Sequence, residues 1–211
     1  MYAILRELKN SHYINLIRDA SKGYSGEIYL VGGALRDLLL KRRRKVFDFD
    51  FAVSRGAIKL SREIARKLRS PFVLLDKIHG SSRIVYRKGV FSCNFDFTDF
   101  RGRDILEDIL HRDFTVNSLA VDLRALKGAR DLESVLLDPY RGNADIRRKV
   151  VRVTSDFSLP EDPLRILRAF SLSAQLGFKI EPKTIAAIKS HKGKITSSAF
   201  ERITEELFKI L

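Results

Sequence analysis

The stretch YLVGGALRDLLLKRRRKVFDFDFAV, Tyr29 to Val53, places Asp48 and Asp50 two apart among apolar residues. On a strand, residues i and i+2 share a face. Two carboxylates side by side repel unless a cation lies between them. Magnesium is suited to this, because it takes carboxylate oxygens together with substrate phosphates. Two such ions about 4 Å apart can activate a hydroxyl and stabilise a leaving pyrophosphate. A third carboxylate on a neighbouring strand would complete the site. Asp96 and Asp99 in NFDFTDFRG are the candidates, and Asp96 shares the apolar-acid-apolar alternation. A lone Asp-Phe-Asp is otherwise only a strand with one wet face.

Gly32-Gly33 lies between a β-like run and a helical one, where glycine lets backbone N–H groups approach a phosphate. The plain alternative is a tight turn. Arg36, one helical turn on, could reach a phosphate or be a surface arginine. The run Lys41, Arg42, Arg43, Arg44 and Lys45 reads equally as an RNA backbone contact or a solvated loop.

The elements that must position these groups follow from periodicity. Residues 1–24 read as helix, Glu27–Val31 as a strand and Ala34–Leu40 as a helix. Phe47–Val53 alternates as a strand, and 57–69 is an amphipathic helix. Phe72–Leu75, Ser82–Arg87 and Phe91–Phe100 read as strands, with 104–121 helical in part. Leu137–Asn143 reads as a loop and Lys149–Val153 as a short β-like run. Beyond Pro160 come the helical patterns Pro163–Leu176, Pro182–Lys189 and Ser198–Leu211, with no strand among them. The expectation is an α+β fold with a boundary near residue 150: a mixed head at 1–150 and an all-helical piece at 151–211. The last helical pattern runs to the final residue without a capping glycine, which predicts that the chain was cut there or docks onto a surface it lacks.

Composition bounds the partners. Forty Lys and Arg against 26 Asp and Glu give the 211-residue chain a net charge of +14. Such a chain gathers polyanions, with nucleic acid ahead of a membrane surface and a solubility device as the bland alternative. No run nears the roughly 20 apolar residues of a membrane helix, and the N-terminus has no secretory pattern. The single cysteine, Cys93, excludes an internal disulfide and fits a reducing cytoplasm; it reads as a core residue. His12, His79 and His191 show no metal-ligand spacing.

Taken together, these residues resemble the class II tRNA nucleotidyltransferases (CCA-adding enzymes) and the bacterial poly(A) polymerases. VGGALRDLLL followed by DFDFAV resembles the start of that family's head. HRDFTVNSLAVDL resembles its Arg-Arg-Asp-Phe-Thr-x-Asn motif, and LLDPYRGNADIRRKVVRV its Asp-Pro-x-x-Gly segment. EDPLRILRAFSLSAQLGF resembles the Glu-Asp-x-x-Arg nucleotide-selecting helix, and FERITEELFKIL the Glu-Arg-x-x-x-Glu-Leu helix that closes the neck. Five motifs occur in the family's order.

The resemblance implies a nucleotidyltransferase-type head, a mixed β-sheet flanked by helices, followed by a helical neck. It implies that Asp48 and Asp50 hold two magnesium ions and that Asp96 helps orient the primer hydroxyl. Gly32, Gly33 and Arg36 would border the triphosphate, and Arg112 would contact the nucleotide. Asp113 and Asn117 would shape the sugar pocket. Asp162 and Arg165 would read the base edge without a template, supported by Arg168; their spacing of three places all three on one helix face. A carboxylate beside a guanidinium can match the donor and acceptor pattern of cytosine or adenine. The plain alternative is a helix start with surface salt bridges.

Two positions depart from the pattern. His111 stands where the family has the first of two arginines, and Ser171 where it commonly has another. The family also continues past the neck into tRNA-holding domains; the expectation is either a shortened chain or a minimal protein, with the +14 charge compensating in part or a homo-oligomer or second chain supplying that surface. The expected function is transfer of CMP or AMP from CTP or ATP to an RNA 3′ end, most naturally tRNA. A poly(A) polymerase or a CC- or A-adding enzyme shares these motifs. A non-catalytic RNA-binding module and a nucleotide sensor are the readings from other classes. Three convergent carboxylates oppose phosphate binding, which argues against a module that only binds RNA.

Overall fold

The computed structural model describes residues 2–42, 47–89 and 91–211. The chain forms two compact units, 1–109 with 119–137, and 110–118 with 138–211. The second unit therefore takes in 110–118 and 138–150 as well as the segment beyond 150.

The first unit holds α1 (Tyr2–Asn10), α2 (His12–Ala20), β1 (Ile28–Val31), α3 (Gly33–Leu39), β2 (Phe47–Val53), α4 (Ala57–Leu68), β3 (Phe72–Asp76), β4 (Ser81–Lys88) and β5 (Phe91–Asp99). It continues through most of α5 (Ile105–Leu110), then β6 (Ala120–Asp122), α6 (Ala125–Gly128) and β7 (Leu136–Leu137). The seven strands form one mixed sheet in the order β3-β4-β5-β2-β1-β6-β7. Only β2 and β5 run parallel; the other neighbours are antiparallel.

Alternation on the central strands builds the core on one face and the polar row on the other. Phe49 and Phe51 of β2 are buried, as are Cys93, Phe95 and Phe97 of β5. Phe51 stacks on Phe97 with ring centroids 5.0 Å apart, and Phe49 on Phe95 at 6.1 Å. Each such side chain contributes about 1.5–3 kcal/mol by leaving water. The helix α4 buries Ala57, Leu60, Ile64 and Ala65, one stripe at helical spacing. Its Ser61 hydroxyl meets that of Ser82 on β4 at 2.7 Å.

The second unit holds a 3₁₀ turn (Thr115–Asn117), α7 (Gly142–Arg148), β8 (Val150–Val151), α8 (Ser158–Glu161), α9 (Arg165–Leu176), β9 (Lys179–Ile180), α10 (Pro182–His191) and α11 (Phe200–Phe208). It is mainly helical, but β9 pairs in parallel with β8. This corrects the expectation of an all-helical piece without strands beyond residue 160. Two-residue strands carry too short an alternation to be read from sequence.

Other differences are local. The N-terminal helix is two helices, broken at Ser11, whose extended backbone lets its hydroxyl cap α2 through the Ile14 N–H. The segment read as a loop, Leu137–Asn143, runs into α7 at its last two residues, where the Asp138 carboxylate accepts from the backbone N–H of Gly142 at 2.6 Å and Asn143 at 3.0 Å. The last helix ends at Phe208, three residues before the end of the sequence. Among the described residues, no helix is long and apolar enough to cross a membrane.

Candidate active site

In the first unit, the parallel pairing of β2 with β5 sets Asp48 opposite Asn94 and Asp50 opposite Asp96. The phenylalanines between them point into the core, so the carboxylates share the other face. Asn94 Nδ2 donates to Asp48 Oδ1 at 2.9 Å, fixing that side chain. Asp48 is exposed and Asp50 half-buried. Asp96 is beside them, but both its oxygens accept from Arg83 of β4: Nε to Oδ1 at 2.7 Å and an Nη to Oδ2 at 2.7 Å.

Asp99 is turned away from this row. Three residues from Asp96, it takes the opposite side of the strand, and its Oδ1 accepts from the Ala57 N–H at 2.8 Å at the start of α4. A Cβ on Gly80 would strike its carboxylate at 2.2 Å, so glycine is required there. Asp99 is a helix cap.

The row supplies hard carboxylate oxygens, with Asp48 exposed and Asp50 half-buried. Among the described residues, no three acidic, imidazole or thiol groups converge as a complete cage. Magnesium takes hard oxygen donors, one or two of them carboxylates, with phosphate and water completing the set. The Asp48–Asp50 pair therefore fits the ion. Cys93, on the apolar face, is no ligand. Burial first, then the charges of Asp48 and Asp96, push its thiol up to about 12.

Gly32 adopts φ +76°, ψ −146°, a conformation closed to other residues, and its N–H reaches the Leu119 carbonyl at 3.4 Å. The Arg36 guanidinium folds back over Gly33 and is buried, with Nε donating to Asp37 Oδ1 at 3.0 Å. Lys41 and Arg42 are exposed after α3; Arg43, Arg44 and Lys45 lie outside the described residues.

In the second unit, Asp113 is the centre of a buried network. Its Oδ1 accepts from the Phe114 N–H at 2.8 Å and Asn117 Nδ2 at 3.1 Å; its Oδ2 accepts from Arg168 Nε at 3.0 Å and an Nη at 2.6 Å. Burial pushes the carboxyl up. The Arg168 charge and these hydrogen bonds outweigh it and hold the group at about 2. Arg168 in turn is held well above its ordinary value, first by the charge of Asp113. The Arg112 carbonyl accepts from the Thr154 hydroxyl.

Arg165 is also buried. One Nη donates to the Ser158 carbonyl at 3.0 Å and to Glu161 at 3.2 Å, and the other to the His111 carbonyl at 2.7 Å. His111 closes the ring through Nδ1 to Glu161 at 2.7 Å. Asp162 does not share the helix face with Arg165 and Arg168 as expected. It precedes the helix with an extended backbone, φ −141°, because the following proline disfavours the α conformation. Its Oδ1 accepts from the Leu164 N–H at 3.2 Å and its Oδ2 from Arg202 of α11 at 3.0 Å.

Ser171 donates to the buried Glu206 at 2.6 Å, while Lys209 reaches the other oxygen at 2.6 Å. With Arg168 nearby at 3.7 Å, Glu206 obtains its positive charge without a cation at position 171. These contacts to Arg83, Arg202 and Glu206 escaped the sequence reading. Arg202 and Glu206 lay within a recognised motif, and Arg83 carried only the period-2 signal of its strand.

Residues 28–152 match the poly(A) polymerase head domain family, and residues 177–211 match the family described as the probable RNA and SrmB-binding site of polymerase A. The chain belongs to the class II tRNA nucleotidyltransferase and bacterial poly(A) polymerase family. The CC-adding tRNA nucleotidyltransferase of Synechocystis is 38% identical over 177 residues, 84% of this chain and 40% of the relative. That of Geobacter sulfurreducens is 39% identical over 183 residues, 87% and 40% respectively. A structure of the Thermotoga maritima CCA-adding enzyme complexed with tRNA superposes with a TM-score of 0.80 at 30% identity, covering 100% of this chain and 50% of that one. The chain thus spans about 40% of these two curated relatives' length.

Proposed function

We propose that the chain transfers CMP, AMP or both from CTP and ATP to the 3′ end of an RNA, with tRNA as the natural acceptor, releasing pyrophosphate. The observation that carries this reading is the Asp48–Asp50 pair on one face of β2, fixed by Asn94 and set beside Asp96. Asp48 and Asp50 would hold magnesium. When bound there, the ion supplies positive charge against the triphosphate and polarises the attacking hydroxyl.

The protein's own groups position and select. The Gly32 N–H is taken by the Leu119 carbonyl, so Gly33, at the start of α3, would border the phosphate, with Arg36 as a buried charge behind it. In the second unit, Asp113, Asn117 and Arg168 form a fixed wall for a sugar, with Arg112 beside them. Asp162 offers an acceptor edge to a base and Arg165 holds the backbone on which it stands. The roles divide between a metal-binding head and a base-selecting neck. The +14 charge favours the RNA acceptor, with Lys41 and Arg42 as exposed contacts.

Addition of C alone is the second reading, favoured because the relatives at 38% and 39% identity are both CC-adding. Primer extension with magnesium decides between them, using tRNA ending before CCA, tRNA ending in CC and an unrelated RNA. CTP-then-ATP addition confined to tRNA supports the full reaction, and arrest after CC supports the second reading. Long A tails on any RNA would make it a poly(A) polymerase. Asp48→Ala should abolish incorporation while RNA affinity stays unchanged or rises; an unchanged rate would refute the metal assignment.

A further inference from the structure

Resting on the transfer reading above, we infer that Arg83 is the group that the third-acid position presents to substrate: Asp96 holds its guanidinium, and Arg83 takes a phosphate oxygen. Both oxygens of Asp96 are occupied by Arg83 at 2.7 Å. A two-point charged pair of this kind is the strong form of the interaction, and a cation binding Asp96 directly would have to break it. The pair is also graded toward solvent, with the Arg83 side chain 37% exposed and Asp96 18%. An approaching ligand therefore meets the guanidinium more readily than the carboxylate.

Register puts Arg83 opposite Asp96, and Asp96 opposite Asp50, so one row crosses β4, β5 and β2. Neighbouring strands lie about 4.8 Å apart, which keeps the guanidinium within a side chain's reach of the metal-binding pair. Asp48 and Asp50 both act on its charge. Asp96 uses one edge of the guanidinium, Nε and one Nη, and leaves the second Nη to point elsewhere. An arginine beside a reacting phosphoryl group neutralises charge in the transition state. Lysine cannot reproduce the arrangement, because its single ammonium cannot hold Asp96 at two points and still offer a directed donor. Asp96 is then a positioning residue. Two sources could supply the phosphate, the acceptor strand's last linkage and the triphosphate.

The test measures binding of three probes to the 211-residue chain: Mn²⁺ alone, CTP with Mn²⁺, and a short single-stranded RNA with a 3′ hydroxyl. Variants are Arg83→Met, Arg83→Lys, Asp96→Asn and Asp48→Asn, each checked for an unchanged thermal midpoint. Asp96→Asn is expected to leave Mn²⁺ affinity within about twofold, while Asp48→Asn lowers it about tenfold or more. Arg83→Met is expected to weaken CTP or RNA by about tenfold, with Asp96→Asn following it on the same probe and Arg83→Lys restoring only part. Loss on the RNA arm assigns the acceptor strand; loss on the CTP arm assigns the triphosphate. A Mn²⁺ loss in Asp96→Asn equal to that of Asp48→Asn overturns the inference, since Asp96 is then a ligand. Unchanged CTP and RNA binding in Arg83→Met also overturns it, as does an equal loss on both that Arg83→Lys fully restores. Unchanged Mn²⁺ affinity in Asp48→Asn would refute the metal assignment instead, and the other two probes would still decide the role of Arg83.

Discussion

Replacing Asp113 by asparagine keeps the side chain's shape and one acceptor oxygen but removes the charge opposite Arg168. In the folded protein the carboxyl sits at about 2, against a usual 3.8. At about 1.4 kcal/mol for each tenfold change in proton affinity, that difference corresponds to roughly 2–3 kcal/mol. Arg168 is 41% exposed and lies 3.7 Å from Glu206, so solvent and a second anion reduce the loss to about 2 kcal/mol. Asp113→Asn should therefore lower the unfolding free energy by that amount at neutral pH. The folded value lies below the unfolded one, so the contribution is complete above about pH 4 and disappears as pH falls through about 2. Urea unfolding followed by far-ultraviolet circular dichroism, run on both proteins from pH 7 down to about 2.5, reads the difference directly. The two stabilities should converge below about pH 4. Equal stabilities at neutral pH, or a gap that persists undiminished into acid, would refute the account of the pair.

Three further outcomes follow from the packing and the ion pairs. Phe97→Ala removes a fully buried ring stacked on Phe51 and should cost about 3–5 kcal/mol in the same urea assay. The Cys93 thiol, buried and pushed up to about 12, should resist iodoacetamide at about pH 8 until urea is added, as mass spectrometry would register. Arg202→Ala frees Asp162 Oδ2 and should alter the ratio of CTP to ATP affinity with little change in thermal midpoint. An unchanged ratio would remove Asp162 from base selection.

The strands that carry the candidate metal site were legible because alternation and chemistry coincide on them. Asp48, Asp50 and Asp96 interrupt apolar runs at period two, so one pattern gives both the buried face and the polar row. Contacts at long sequence separation were not legible. Asp99 resembled Asp96 in sequence, yet a capping bond to Ala57 turns it to another task. Arg83 becomes informative only when register sets it against Asp96. In the neck, equal spacing suggested one helix face for Asp162, Arg165 and Arg168, but Pro163 ends that periodicity before it starts. His111 and Ser171 looked like lost cations. Glu161 and Glu206 show that each has a structural partner instead.

The order in which the chain builds its first unit has a consequence for synthesis. β1 lies between β2 and β6, and Tyr29 pairs with Asp122, about ninety residues later. Until that segment leaves the ribosome, β1 presents an unpaired hydrogen-bonding edge, with Ile28, Leu30 and Val31 of the same strand buried only in the finished protein. In between, residues 110–118 pass to a unit whose remaining part begins only at residue 138. Each unit thus waits for chain that is made after the other has begun. The nascent protein carries an open sheet edge for longer than a head followed by a separate neck would, and that interval is when strand-seeking chaperones or neighbouring nascent chains can capture it.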